Sequence, residues 1–233
     1  MKKKRIVSLS LVVALIAIIA GGTYAYFTDK TQTETNVFTV GNVKIELTEP
    51  KWDEDNNHIL PSVDLPKDPT ITVEDGSDPA YVFMDMELNK YASFLKLVGL
   101  NEGWDENQVW TNWGQAITDS SYQPILDKWF AEIDHTKWDI MNKDELLAEL
   151  GKMATQTNAN WLTIELGYKD IQNAGDAVTL FEAVKIPETV TSEMIEASKF
   201  NTKEMTWNMN FTAKAIQAVG FNNYKEAYTA LYK

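Results

Sequence analysis

Cysteine is absent from all 233 residues. That excludes a disulfide scaffold, a thiol nucleophile and any cysteine-ligated zinc or iron–sulfur centre. Histidine is nearly absent: His58 and His135 are the only two, so one chain cannot build a three-histidine metal site. Basic charge is also scarce. With 21 Lys and Arg against 34 Asp and Glu, the formal net charge is −13, which argues against nucleic acid as a partner, because phosphate binding needs a basic surface. Long apolar runs are missing except at the start. No His-Glu-x-x-His, Gly-x-Ser-x-Gly or phosphate-cradling glycine loop occurs. What remains is ordinary globular composition, 44% apolar and 11% aromatic, with enough chain to bury a core.

The start of the chain addresses it. Lys2-Lys3-Lys4-Arg5 precedes an apolar stretch from Ile6 to Ala20, interrupted only by Ser8 and Ser10, and Gly21-Gly22-Thr23-Tyr24-Ala25 follows. A basic segment, a short apolar segment and a small residue at the cut are the layout of a secretory signal. Residues 1–25 are expected to be that signal, cleaved between Ala25 and Tyr26, with membrane contact only before cleavage; a retained anchor is the alternative. Cleavage removes four basic residues and no acid, so the exported remainder is more acidic still. Such a surface stays soluble by mutual repulsion and attracts cations, calcium among them, outside the cell.

Residues 26–233 read as a single domain, mainly β: an antiparallel jelly roll or β-sandwich with a partly helical insert at 89–160 and a short C-terminal helix. Val43, Ile45 and Leu47 alternate with polar neighbours, the period of a half-buried strand. Phe38 and Val40 have the opposite parity, and Gly41 at the switch marks a bulge or bend. Four prolines and an acidic run make 50–69 a loop. Ala80, Val82, Met84, Met86 and Leu88 share one strand face. Alternation then disappears until about Trp161, and Leu146, Leu147 and Leu150 form a helical stripe. Leu162 to Tyr168, Val178 to Ile186 and Met205 to Ala215 read as further strands. Thr191 to Phe200 reads as a helix capped by Thr191 or Ser192, and Asn223 to Tyr232 as the terminal helix.

Four places carry candidate chemistry. Asp53, Asp55 and Asn57 stand at positions one, three and five of an EF-hand loop, but His58 replaces the glycine at six and Asp64 the glutamate at twelve, leaving at most a looser calcium site. Five of eight tryptophans fall between Trp104 and Trp138. Exposed, Trp104, Trp110 and Trp113 would form a glycan-stacking or adhesive platform; buried, they would pin the insert to the sandwich. Glu132 to Asp139 surrounds His135 with carboxylates. Last, Tyr26 to Val40 is an extended end with apolar Tyr26, Phe27, Val37, Phe38 and Val40. Freed by cleavage, it adds to a neighbour's sheet edge, where head-to-tail addition that does not close makes fibres, or else it pairs within its own sheet or stays a disordered terminus.

Several of these stretches resemble the TasA/camelysin-like family of exported Gram-positive proteins. Gly21-Gly22-Thr23-Tyr24-Ala25-Tyr26-Phe27-Thr28-Asp29 is similar to the family's signal junction, and Asn36 to Ile45 to its first long strand, Asn-x-Phe-x-x-Gly-x-Val/Leu-x-Ile/Leu. Lys67-Asp68-Pro69-Thr70-Ile71-Thr72-Val73 with Gly76 to Val82, and Phe211 to Phe221, match its middle and last strands. Pro61-Ser62 departs from the usual Pro-Gly, and Glu74-Asp75 from Asn-Thr. The resemblance implies a jelly-roll sandwich, export through a dedicated signal peptidase, and self-association into cell-surface or biofilm-matrix fibres. Some members carry a camelysin metallopeptidase label, but this chain lacks the zincin motif, so no catalytic residue and no metal ligand is assigned.

Overall fold

A computed structural model describes residues 36–52, 63–153, 161–200 and 208–233. The chain divides at Glu34–Thr35, and the description concerns the unit Thr35–Lys233. Ala25, Tyr26, Phe27, Asp53, Asp55, Asn57 and His58 lie outside the described residues.

Strand β5 (Ala80–Asn89) organises the molecule. Its alternating residues Val82, Met84, Met86 and Leu88 are buried in the main core, as the sequence parity requires. The opposite parity is apolar too. Tyr81 and Phe83 belong to a second, smaller core, so β5 is covered on both faces. It pairs antiparallel with β11 (Met209–Gln217) on one side and β8 (Trp161–Tyr168) on the other. The five-stranded sheet runs β1 (Asn36–Val40), β11, β5, β8, β7 (Trp138–Ile140). Two three-stranded sheets complete the set. One orders β2 (Ile45–Thr48), β4 (Thr70–Val73) and β9 (Ala177–Thr179); the other orders β3 (Leu65–Pro66), β10 (Ala183–Val184) and β6 (Phe130–Ala131). Every strand pairing is antiparallel except β1 with β11.

Between the paired strands β5 and β8 the chain makes helices α1 (Tyr91–Asn101), α2 (Val109–Asp119), α3 (Gln123–Leu126) and α4 (Lys143–Met153). These cover the main core with Phe94, Val109, Trp113, Leu146 and Leu150, all buried. Burial of each such side chain is worth about 1.5–3 kcal/mol. The stretch is not purely an elaboration: β6 and β7 inside it extend two sheets. Among the described residues helix content is 31% and strand content 30%, so the fold there is mixed α/β with antiparallel-rich sheets and no closed barrel, a correction to the mainly β expectation. The excess helix comes from the insert, whose leucines, valines and tryptophans follow helical spacing.

Two local signals hold as read. Helix α5 (Ser192–Ser198) is capped by the Thr191 side chain, which accepts from Met194 N, and α6 (Tyr224–Tyr232) by Asn223, which accepts from Lys225 N and Glu226 N. The strand expected over Val178–Ile186 is instead two short ones, β9 and β10. Phe181 turns fully into the core between them, and Glu182 N donates to Ala131 O.

Helix α6 closes the second face of the five-stranded sheet. Ala227 and Tyr228 bury against Phe83, Tyr81 and Ile216. Tyrosines 224, 228 and 232 stand four residues apart on one helix face, and each donates to a carboxylate on a different strand. Tyr224 Oη donates to Asp139 Oδ2 on β7 at 3.0 Å, Tyr228 Oη to Glu165 on β8, and Tyr232 Oη to Asp85 Oδ1 on β5 at 2.6 Å. Lys214 adds an ion pair to Asp85 at 2.7 Å and lies 3.8 Å over the Tyr232 ring.

Candidate functional site

The N-terminal edge of the five-stranded sheet is the described part of the expected assembly segment. Strand β1 lies parallel on β11, Asn36 opposite Thr212 through Val40 opposite Ile216. Among the described residues it is the outermost strand of this sheet, with no strand on its far side. Val40 is 41% exposed at this edge. No hairpin ties β1 to its partner, which comes from the other end of the chain. Backbone pairing holds it, and an identical strand of another copy would satisfy the same groups. The remaining assembly residues Tyr26 and Phe27 lie outside the described residues.

Gly41 sets where this edge ends. Its φ of +93° is in the left-handed region, and a Cβ there would stand 2.8 Å from Gln217 Cβ. Glycine lets the backbone pass against the last residue of β11 and turn into β2, which belongs to another sheet. Gln217 is itself fixed by its amide donating to Asp78 Oδ2 at 3.0 Å. The parity switch between Phe38–Val40 and Val43–Leu47 is this crossing from one sheet to the next.

The tryptophan platform is not formed as such. Trp113 is 3% exposed and its Nε1 donates to Leu95 O at 2.9 Å. Trp104 and Trp110 are half-buried against the same core, with Trp104 meeting Trp113 edge to face at 5.4 Å. Trp129 and Trp138 are buried as well. A helix whose aromatic groups serve its own packing leaves little ring face for a glycan.

His135 does not join a metal-binding group. Its Nε2 lies 2.8 Å from Asp127 Oδ1, and its carbonyl accepts from Lys169 Nζ at 3.1 Å. Asp134 serves its own loop: it accepts from Thr136, and that bonding holds its carboxyl below the usual range. Among the described residues no three His, Asp or Glu side chains are grouped to hold a metal ion. The described residues alone therefore supply no catalytic zinc site, which needs three protein ligands and an open position. Asp64, the described member of the calcium loop, belongs to no such group.

Charge is instead concentrated in two buried clusters that the sequence reading did not single out. In the first, Lys67 Nζ pairs with Glu49 Oε1 at 2.7 Å, both side chains under a tenth exposed, and sits 4.2 Å over the Trp52 ring. Beside it Asp68 accepts from Lys51 N at 2.8 Å. The second is the tyrosine–carboxylate row under α6. Burial raises the Glu165 carboxyl, with the neighbouring Asp85 charge adding to that and the Tyr228 hydrogen bond opposing it. Burial, then the Asp139 contact, pushes Tyr224 up to about 12. Burial and their carboxylate partners push Tyr228 and Tyr232 higher still. The signal was present as Tyr at four-residue spacing, but its partners sit on three separate strands.

Among the described residues no helix is long and apolar enough to cross a membrane. A family model described as camelysin metallo-endopeptidase matches residues 1–214. The match ends inside β11, so α6 and its tyrosines lie beyond it. No curated protein and no solved structure matches the chain significantly.

Proposed function

This chain belongs to the camelysin metallo-endopeptidase family, and we propose that within it the protein is an exported structural subunit of the cell surface or biofilm matrix. It assembles into fibres by N-terminal strand addition. The observation that carries this reading is β1: among the described residues an outermost strand, parallel to β11, with no hairpin joining the two. Residues 26–40 of one copy lie along the β11 edge of the next, backbone hydrogen bonds supplying affinity and Val37, Phe38 and Val40 the register. Repetition of that step runs head to tail and does not close. The jelly roll implied by the family resemblance is part of the same reading, with the incoming strand completing it. Family membership supports a location outside the cell, and the basic and apolar start of the chain supports export.

The test is to purify the chain from Tyr26 and follow it by light scattering and negative-stain microscopy. Fibres are expected, and deletion of Tyr26–Thr35 is expected to abolish them while leaving the folded unit intact by circular dichroism. Fibres of unchanged yield from the deletion variant overturn the mechanism.

The family description supports a second reading, a metallopeptidase. Chelator-sensitive cleavage of casein by the purified chain, restored by zinc, would establish it. The ligands would then have to come from His58 and other residues outside those described, because the described ones do not assemble a site.

A further inference from the structure

The face of β5 and β8 that looks into the main core is not completely filled. A cavity of about 70 Å³ lies between Met86 and Leu166 of these strands, Phe94 of α1, and Phe130, Ile133 and Phe181. Its floor is buried, and its rim is half-exposed at Leu126, Ile133, His135, Ile140 and Ile164. We propose that this cavity is a binding site for the end of a single alkyl chain, the tail of a small amphiphile such as a medium-chain alcohol or fatty acid, whose one polar end sits at His135.

The lining decides the chemistry of the tail. Three lining side chains carry a nitrogen or oxygen: Trp138, Tyr122 and His135. The Trp138 N–H is already donated to Thr179 O at 3.1 Å. Tyr122 and His135 meet edge to face, 6.5 Å between ring centroids, and are the polar corner of an otherwise hydrocarbon surface. A ligand that fills this space must be apolar over nearly its whole inserted length.

Size and hydrogen bonding narrow it further. An apolar cavity that accepts a benzene ring measures about 150 Å³, and this one is about half of that. A chain end fits where a ring does not. A peptide side chain would be small enough, but a peptide brings main-chain N–H and C=O groups to the rim. Four of the five rim residues are Leu or Ile and offer them nothing. One polar side chain at the mouth matches a ligand with one polar end.

The mouth is also preformed. Glu132, just before Ile133, has a φ of +64°, a conformation costly for a non-glycine residue. The loop it opens is held from outside: Asp134 Oδ1 accepts from Thr136 N at 2.9 Å, and Lys169 Nζ donates to the carbonyls of His135 and Thr136 at 3.1 and 2.9 Å. The Asp127 carboxylate engages His135 Nε2, which leaves Nδ1 of the neutral ring as the acceptor for a ligand hydroxyl.

The experiment titrates 1-octanol and octanoate into the purified protein with isoleucine δ1-methyl groups labelled for NMR. Saturable shifts confined to Ile133, Ile140 and Ile164 are expected. His135→Ala should weaken 1-octanol about threefold to tenfold, the worth of one hydrogen bond. Ile164→Trp, which fills the cavity, should weaken both ligands at least tenfold. Absence of saturable shifts up to the solubility limit, shifts scattered over the surface, or undiminished binding by a folded Ile164→Trp variant would overturn the site. If that variant does not fold, the methyl map of the unaltered protein decides alone.

Discussion

Replacing Tyr224, Tyr228 and Tyr232 together by phenylalanine removes three hydroxyl groups and almost no apolar area. The rings remain to pack on Phe83, so the change isolates the hydrogen bonds. A bond to a charged acceptor is worth about 1.5–3 kcal/mol, but the three carboxylates differ in what is left to them. Asp85 keeps Lys214 at 2.7 Å, and Asp139 keeps Lys143 and Lys225 at 3.8 and 4.0 Å. About 1 kcal/mol is therefore expected from Tyr232 and from Tyr224. Glu165 has no ion-pair partner among the described residues, and Tyr228 is worth about 2 kcal/mol. Asp85 and Glu165 face each other across β5 and β8, so the Tyr228 and Tyr232 effects will not simply add. A total near 4 kcal/mol lowers the melting temperature by about 8–16 °C in a domain of this size.

The pH dependence supplies the sharper check. Tyrosines whose pKa is raised on folding contribute stability that is fully present below their ordinary value near 10. That stability is lost as pH rises through the folded value, about 12 for Tyr224. The gap between the original protein and the triple phenylalanine variant should be full at pH 7 and 9 and shrink steadily above pH 10. Urea unfolding followed by tryptophan fluorescence at each pH measures it. A gap below about 1 kcal/mol at pH 7, or one that does not change up to pH 11.5, would refute the latch.

Two further substitutions test other parts of the description. Gly41→Ala must hold a methyl group 2.8 Å from Gln217 Cβ at positive φ, and is expected to cost about 1–3 kcal/mol. The cost should appear as faster amide exchange in β1 than in β5. Lys67→Met strands Glu49 in a buried site and should destabilise by about 3–5 kcal/mol. Adding Glu49→Leu should recover most of that loss in thermal melts, and failure of the double variant to recover would show that the pair is not coupled.

Local chemistry was legible and long-range pairing was not. Thr191 and Asn223 announce their helices because a cap acts on the next three residues. Val82, Met84, Met86 and Leu88 announce a strand because period two is visible within ten residues. The same window hid the second face of β5, where Tyr81 and Phe83 are buried only because α6 packs on them. Asp85, on the same face, is 8% exposed for the same reason. The broken strand over Val178–Ile186 was hidden because Phe181 leaves the alternation to fill a hole that only the three-dimensional core defines. The assembly segment shows both sides. Phe38 and Val40 were visible as strand residues and Gly41 as the turn, whereas their partner in β11 could not be read from anything nearby. Trp104, Trp110 and Trp113 show the limit of clustering along the sequence, which left an exposed platform and a packed core both open; helix packing buries Trp113 and half-buries the other two.

The adjacency of β1 to β11 also fixes when the main sheet can exist. A growing chain finishes Val40 early, yet the strand that must sit between β1 and β5 ends only at Gln217. At about 5–20 residues per second that delay is on the order of ten seconds or more. Throughout it β5 has no β11 beside it and α6 has not been made. A chain truncated anywhere before Met209 therefore leaves a gap in the middle of the sheet and not at its rim. The five-stranded sheet is consequently complete only once Gln217 has been delivered.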